Sequence, residues 1–97
     1  MAYIELFADI TRKVIATSGF DDFLPIALYP ERKALVALDG VPHDADIETV
    51  SLAWAQKNAI GDEEFLVAFK VGHAAFKILR RSPQGIEEGI FSLERTA

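Results

Sequence analysis

The chain has 97 residues, of which 51% are hydrophobic, and carries 10 Lys and Arg against 15 Asp and Glu for a formal net charge of −5, with no Cys. One hydrophobic core is all that this length supports, so a single α+β domain over residues 1–97 is expected. The lack of Cys excludes disulfides and thiolate metal sites, the acidic balance argues against a general nucleic-acid binder, and no apolar run reaches the roughly 20 residues of a membrane helix.

Near the N-terminus stand Glu5 and Asp9 with no basic leader, which does not read as a secretory signal and points to a cytoplasmic protein. From Ala2 to Thr17, Tyr3, Phe7, Ile10 and Val14 form one helical stripe with Leu6 beside it. Glu5, Asp9, Arg12 and Lys13 face away, Asp9 and Lys13 stand at i,i+4, and Gly19 follows where a left-handed C-cap would end the helix.

Pro25 and Pro30 exclude a long helix between Phe20 and Gly40. Ile26 to Tyr29 and Lys33 to Leu38 read instead as short strands around the polar turn Pro30-Glu31-Arg32. From Asp44 onward Ile47, Val50 and Trp54 recur at helical spacing beside Leu52, with Asp44 or Asp46 as N-cap and Gly61 as the stop.

Phe65 to Arg81 admits two readings. As a helix, it starts at the acidic Asp62, Glu63 and Glu64, ends at Arg80 and Arg81, and makes the chain mostly α, with residues 62-82 as one element. As a hairpin turning at Gly72-His73, it opposes Phe69 with Phe76, Val67 with Ile78 and Glu64 with Arg81. A mid-helix Gly72 costs about 1 kcal/mol, and the helix leaves only a narrow polar stripe, so the hairpin is preferred. After Pro83-Gln84-Gly85, Ile86 to Leu93 supplies a last strand, in which Gly89 suggests a bulge.

The expected architecture is an antiparallel sheet of about five strands with two helices packed on one face, in the order α-β-β-α-β-β-β. This order resembles that of roadblock and longin-type modules without their last helix. The resemblance spans the whole chain, includes no shared motif and implies no function.

Residues that carry chemistry are sparse. His43, Asp44 and Asp46 supply three donors in four positions, but no second donor cluster accompanies them, and Asp residues at a helix start satisfy free N–H groups. His73 falls in the predicted turn with no nucleophile nearby in sequence, and the glycines assemble neither a phosphate loop nor a dinucleotide fingerprint. The pairs Glu63-Glu64 and Glu87-Glu88 read as strand-edge charges and partners for Arg80 and Arg81 rather than as a catalytic dyad. Lys70, Lys77, Arg80 and Arg81 form a basic run interleaved with Phe69 and Phe76, which are expected to face the core, away from the lysines.

The leading expectation is therefore a non-enzymatic interaction module without cofactor or metal, which forms a homodimer because its apolar supply exceeds what one small face covers. The alternative is a small-ligand binder or small enzyme with an apolar pocket between helix and sheet, rimmed by His43, Trp54 and Arg80. A third reading is weak anion or nucleic-acid contact through Lys70, Lys77, Arg80 and Arg81.

Overall fold

The computed structural model describes residues 3–19, 23–38, 46–72 and 74–93. Helix α1 runs over Tyr3–Ser18 and ends at Gly19, whose N–H donates to Ile15 O (N to O 2.7 Å) and whose φ is 85°. Glycine enters that left-handed conformation without a Cβ clash. Strands β1 (Ile26–Tyr29) and β2 (Ala34–Ala37) flank a single 3-10 turn over Pro30–Arg32. Helix α2 covers Ile47–Asn58, and β3 (Phe65–Val71), β4 (Ala75–Ser82) and β5 (Gly85–Ser92) follow as a meander. The α-β-β-α-β-β-β order is thus the observed one. The one-helix alternative for residues 62-82 fails, because β3 and β4 pair antiparallel across that segment.

The sheet has the order β2-β1-β3-β4-β5, with every neighbouring pair antiparallel. Since β2 and β3 both run against β1, which lies between them, α2 carries the chain across β1.

The two helices lie on opposite faces, which corrects the one-face expectation. Phe7, Ala8 and Ile15 of α1 pack with Ile26, Leu66, Ala68, Phe76 and Ile78. Ala55 of α2 packs on the other side with Ala27, Tyr29, Phe65, Val67, Phe69 and Leu79. The cause is β3, whose run Phe65-Leu66-Val67-Ala68-Phe69 is buried throughout. Successive strand residues point to opposite faces, so a continuous apolar run requires cover on both.

The hairpin register also differs from expectation by one position. Val71 pairs with Ala75, so three residues separate the strands instead of two, and Phe69 meets Lys77 while Lys70 meets Phe76. A one-residue slip sends every side chain to the other face. Phe69 therefore supports the α2 layer and Phe76 the α1 layer, and each shares its face with a lysine.

Each helix also buries a small polar residue against the sheet. The buried stripe of α1 includes Thr11, whose hydroxyl donates to Phe7 O at 2.7 Å, whereas Leu6 is 46% exposed. Ser51 and Ala55 bring α2 close to the sheet, although among the described residues the buried Ser51 hydroxyl has no hydrogen-bond partner. Asp46 caps α2 as expected: it accepts from Thr49 N at 3.3 Å and from Thr49 Oγ1 at 2.7 Å, and these bonds lower its pKa. His43 and Asp44 lie outside the described residues.

The first hairpin secures the far end of α2. Carbonyls in a last helical turn lack intrahelical donors. Tyr29 Oη donates to Ala55 O at 2.9 Å, Ala59 N to Gln56 O at 3.3 Å and Arg32 Nη2 to Asn58 O at 2.9 Å. Arg32 also lies 4.2 Å from the Tyr29 ring centre and grips Glu63 with Nε at 3.1 Å and Nη2 at 2.9 Å. This guanidinium, with a further bond from Ile60 N, holds the Glu63 carboxyl below its usual range.

Candidate functional site

The two edges of the sheet differ in kind. An edge strand exposes a row of unpaired N–H and C=O groups, which monomeric proteins guard by shortness, edge lysines, prolines or bulges. Strand β2 has 4 residues and begins beside Lys33, itself at a φ of 52°. Strand β5 has 8 residues without Lys or Pro, and it pairs with β4 in unbroken register from Ser82 opposite Gly85 to Ala75 opposite Ser92. The bulge expected at Gly89 is absent, for Gly89 stands directly opposite Ile78.

Gly89 has another use. A Cβ there would stand 3.1 Å from the Phe91 ring and 3.8 Å from Ile4 Cγ2, so the missing side chain makes room for Phe91 under α1. Phe91 stacks on Phe76 at 5.7 Å between ring centres, and the Arg12 guanidinium lies 5.7 Å and 5.9 Å from those two rings. Arg12 Nε donates to Ser92 O at 3.1 Å and Nη1 to Asp9 at 3.1 Å. The expected outward-facing Arg12 is thus folded down over β5, and Asp9 pairs with it at i,i+3.

On the opposite face α2 packs chiefly on β3, two strands in from β5. Ile86 and Ile90 point there and are 58% and 69% exposed. Between them Glu88 turns inward to Lys77 Nζ at 3.3 Å, and Lys77 bonds Glu48 of α2 at 2.6 Å. The Glu48 bond raises the Lys77 pKa, so this ammonium stays charged. Glu87, on the α1 face, lies 3.6 Å from Arg80. Both acidic residues of β5 thus pair with basic residues of β4, and among the described residues Ile86 and Ile90 are left as the exposed large side chains beside this edge.

The basic residues singled out in the sequence are divided by the sheet. Lys70 and Arg80 stand on the α1 face, Lys77 and Arg81 on the α2 face. Arg80 donates to Glu64 at 2.6 Å, while Arg81 lies 5.9 Å from the Phe65 ring centre rather than on a glutamate. Trp54 packs in the α2 layer, across the sheet from Arg80, so these two do not rim one pocket; His43 and His73 lie outside the described residues. A polar recess of about 290 Å³ sits at the sheet's end between Gln56, Asp62, Glu63 and Arg81. Among the described residues no group of three His, Cys, Asp or Glu is placed to hold a metal, and no helix is long and apolar enough to cross a membrane.

Comparison with protein-family models, curated proteins and solved structures finds no match for the chain. The roadblock and longin likeness accordingly remains one of element order. The surplus apolar residues were expected on the open sheet face or along an edge strand; what the sequence reading did not identify is β5 as that edge. Its signal was Ile86-x-Glu88-x-Ile90 beside Phe91, an alternation with apolar residues on both faces of a terminal strand.

Proposed function

We propose that the chain is a non-enzymatic interaction module of the cytoplasm that takes up a further protein strand along the free edge of β5 and works as a homodimer. The observation that carries this reading is the long, regularly paired β5 edge, which has no Lys, Pro or bulge and is flanked by exposed Ile86 and Ile90. Strand addition gains main-chain hydrogen bonds along the edge, and the apolar neighbours add burial. The acidic net charge of −5 disfavours nucleic acid as the partner, and the absence of Cys suits a reducing compartment. Light scattering on a size-exclusion column is the test. A dimer mass is expected at micromolar concentration, shifting to monomer in the Ile86→Lys/Ile90→Lys variant, since edge lysines oppose strand pairing. A strictly monomeric mass for the unmodified chain across a hundredfold dilution refutes the homodimer.

A further inference from the structure

Resting on that strand-addition reading, we propose that the added strand is β5 of a second copy, paired antiparallel about a twofold axis through Glu88. In a continuous antiparallel sheet such an axis stands perpendicular to the sheet, so each face of one protomer continues as the same face of the other. Directly opposed residues share a face, and faces alternate along a strand. The axis must therefore pass through a residue.

On β5 the α2 face carries Ile86, Glu88, Ile90 and Ser92, and the α1 face Gly85, Glu87, Gly89 and Phe91. An axis through Glu87 sets Ile86 against Glu88; one through Gly89 sets Ile90 against Glu88 and Phe91 against Glu87. An axis through either isoleucine pairs it with itself and carries the other past the end of the strand. The axis through Glu88 alone sets Ile86 opposite Ile90 twice, covering both exposed side chains of each copy. On the other face it puts Phe91 opposite Gly85 and Glu87 opposite Gly89, so each larger side chain meets a residue that has none. This self-complementarity is what selects a second copy over an unrelated strand.

The same axis brings Glu88 against its own symmetry mate. Each Glu88 keeps Lys77 of its protomer at 3.3 Å, with 61% of the side chain exposed before pairing. Like charges directly opposite weaken a pair, so Glu88 acts as a brake on an otherwise matched interface.

Cysteine cross-linking reads the register without background, because the chain has no Cys. Opposed Cα atoms lie about 4.5–5.5 Å apart, within disulfide range. Under mild oxidation Glu88→Cys is expected to give a covalent dimer. Ile86→Cys and Ile90→Cys singly are expected to give none, since each is offset from its own mate by roughly 13 Å, whereas the double variant cross-links. Efficient linking of Ile90→Cys alone overturns the register while leaving the homodimer intact; a monomeric unmodified chain refutes the homodimer itself, and this pairing with it. A second readout needs no disulfide: by analytical ultracentrifugation Glu88→Gln should lower the dimer Kd about two- to fivefold. Raising salt from about 0.05 to 0.5 M should tighten the unmodified dimer more than the variant. A Glu88→Gln dimer that is no tighter, with the same salt response as the unmodified chain, overturns the axis through Glu88.

Discussion

Tyr29→Phe isolates one bond that joins the first hairpin to the second helix. The ring is 1% exposed, packs 6.2 Å from the Phe65 ring centre and lies under Arg32, and all of this survives in phenylalanine. What disappears is the hydroxyl that donates to Ala55 O at 2.9 Å. That carbonyl lies in the last turn of α2, and Ala59 N, the donor that a continued helix would have supplied, bonds Gln56 O instead. The substitution thus leaves a buried acceptor unpaired, at a cost of about 1–3 kcal/mol. For a chain of this size that is a fall of roughly 4–24 °C in melting temperature. Differential scanning calorimetry near neutral pH measures it. An alkaline series adds a sign: burial raises the Tyr29 pKa above 10.0. The neutral phenol's contribution is fully present below the unfolded value and is lost as pH rises through the folded one. The unmodified chain should therefore lose stability more steeply above about pH 10 than Tyr29→Phe does. Equal melting temperatures together with equal alkaline slopes would refute the reasoning.

Ser51→Ala should be neutral or stabilising by up to about 1 kcal/mol, because it removes a buried hydroxyl with no partner among the described residues; a urea midpoint that falls clearly would refute this. Glu63→Gln should destabilise the fold near neutral pH and matter progressively less towards about pH 3. The folded-state pKa of Glu63 is depressed chiefly by Arg32, so its contribution is present above the unfolded value of 4.5 and disappears as pH falls through the folded one. Urea midpoints taken across that range, if separated by the same amount throughout, contradict this assignment.

Local signals in the sequence proved reliable where a single residue decides a conformation. Gly19 ends α1, Asp46 caps α2, and Ile26–Tyr29 has the bounds its flanking prolines imply. The misses share another cause, for they depend on what lies across the sheet. The run Phe65 to Phe69 is apolar at every position, which as a strand implies a layer on each side, but the same run also suits a buried helix, and that ambiguity masks the two-layer signal. The loop of three rather than two residues after Val71 then moved Phe69 and Phe76 to opposite faces and divided the basic run. Arg32 and Glu63 are 31 positions apart, and nothing in the local pattern of either announces the other. Thr11 escaped notice as a core residue because its hydroxyl is satisfied within its own helix.

The seam between β1 and β3 sets how the domain comes apart. The β1–β2 hairpin and the β3–β4–β5 meander are each local in the chain, whereas their junction rests on Ile26 with Ala68, Ala27 with Val67 and Leu28 with Leu66. Alone, so short a ladder would unzip readily. Both hydrophobic layers cross it, one joining Ile26 to Leu66, Ala68 and Phe76 beneath α1, the other joining Ala27 and Tyr29 to Phe65 and Val67 beneath α2. The weakest line of backbone pairing is clamped from above and below, so the two halves cannot separate without baring both cores. Amide protons along β1 and β3 should therefore exchange only when the whole molecule unfolds, in one cooperative unit.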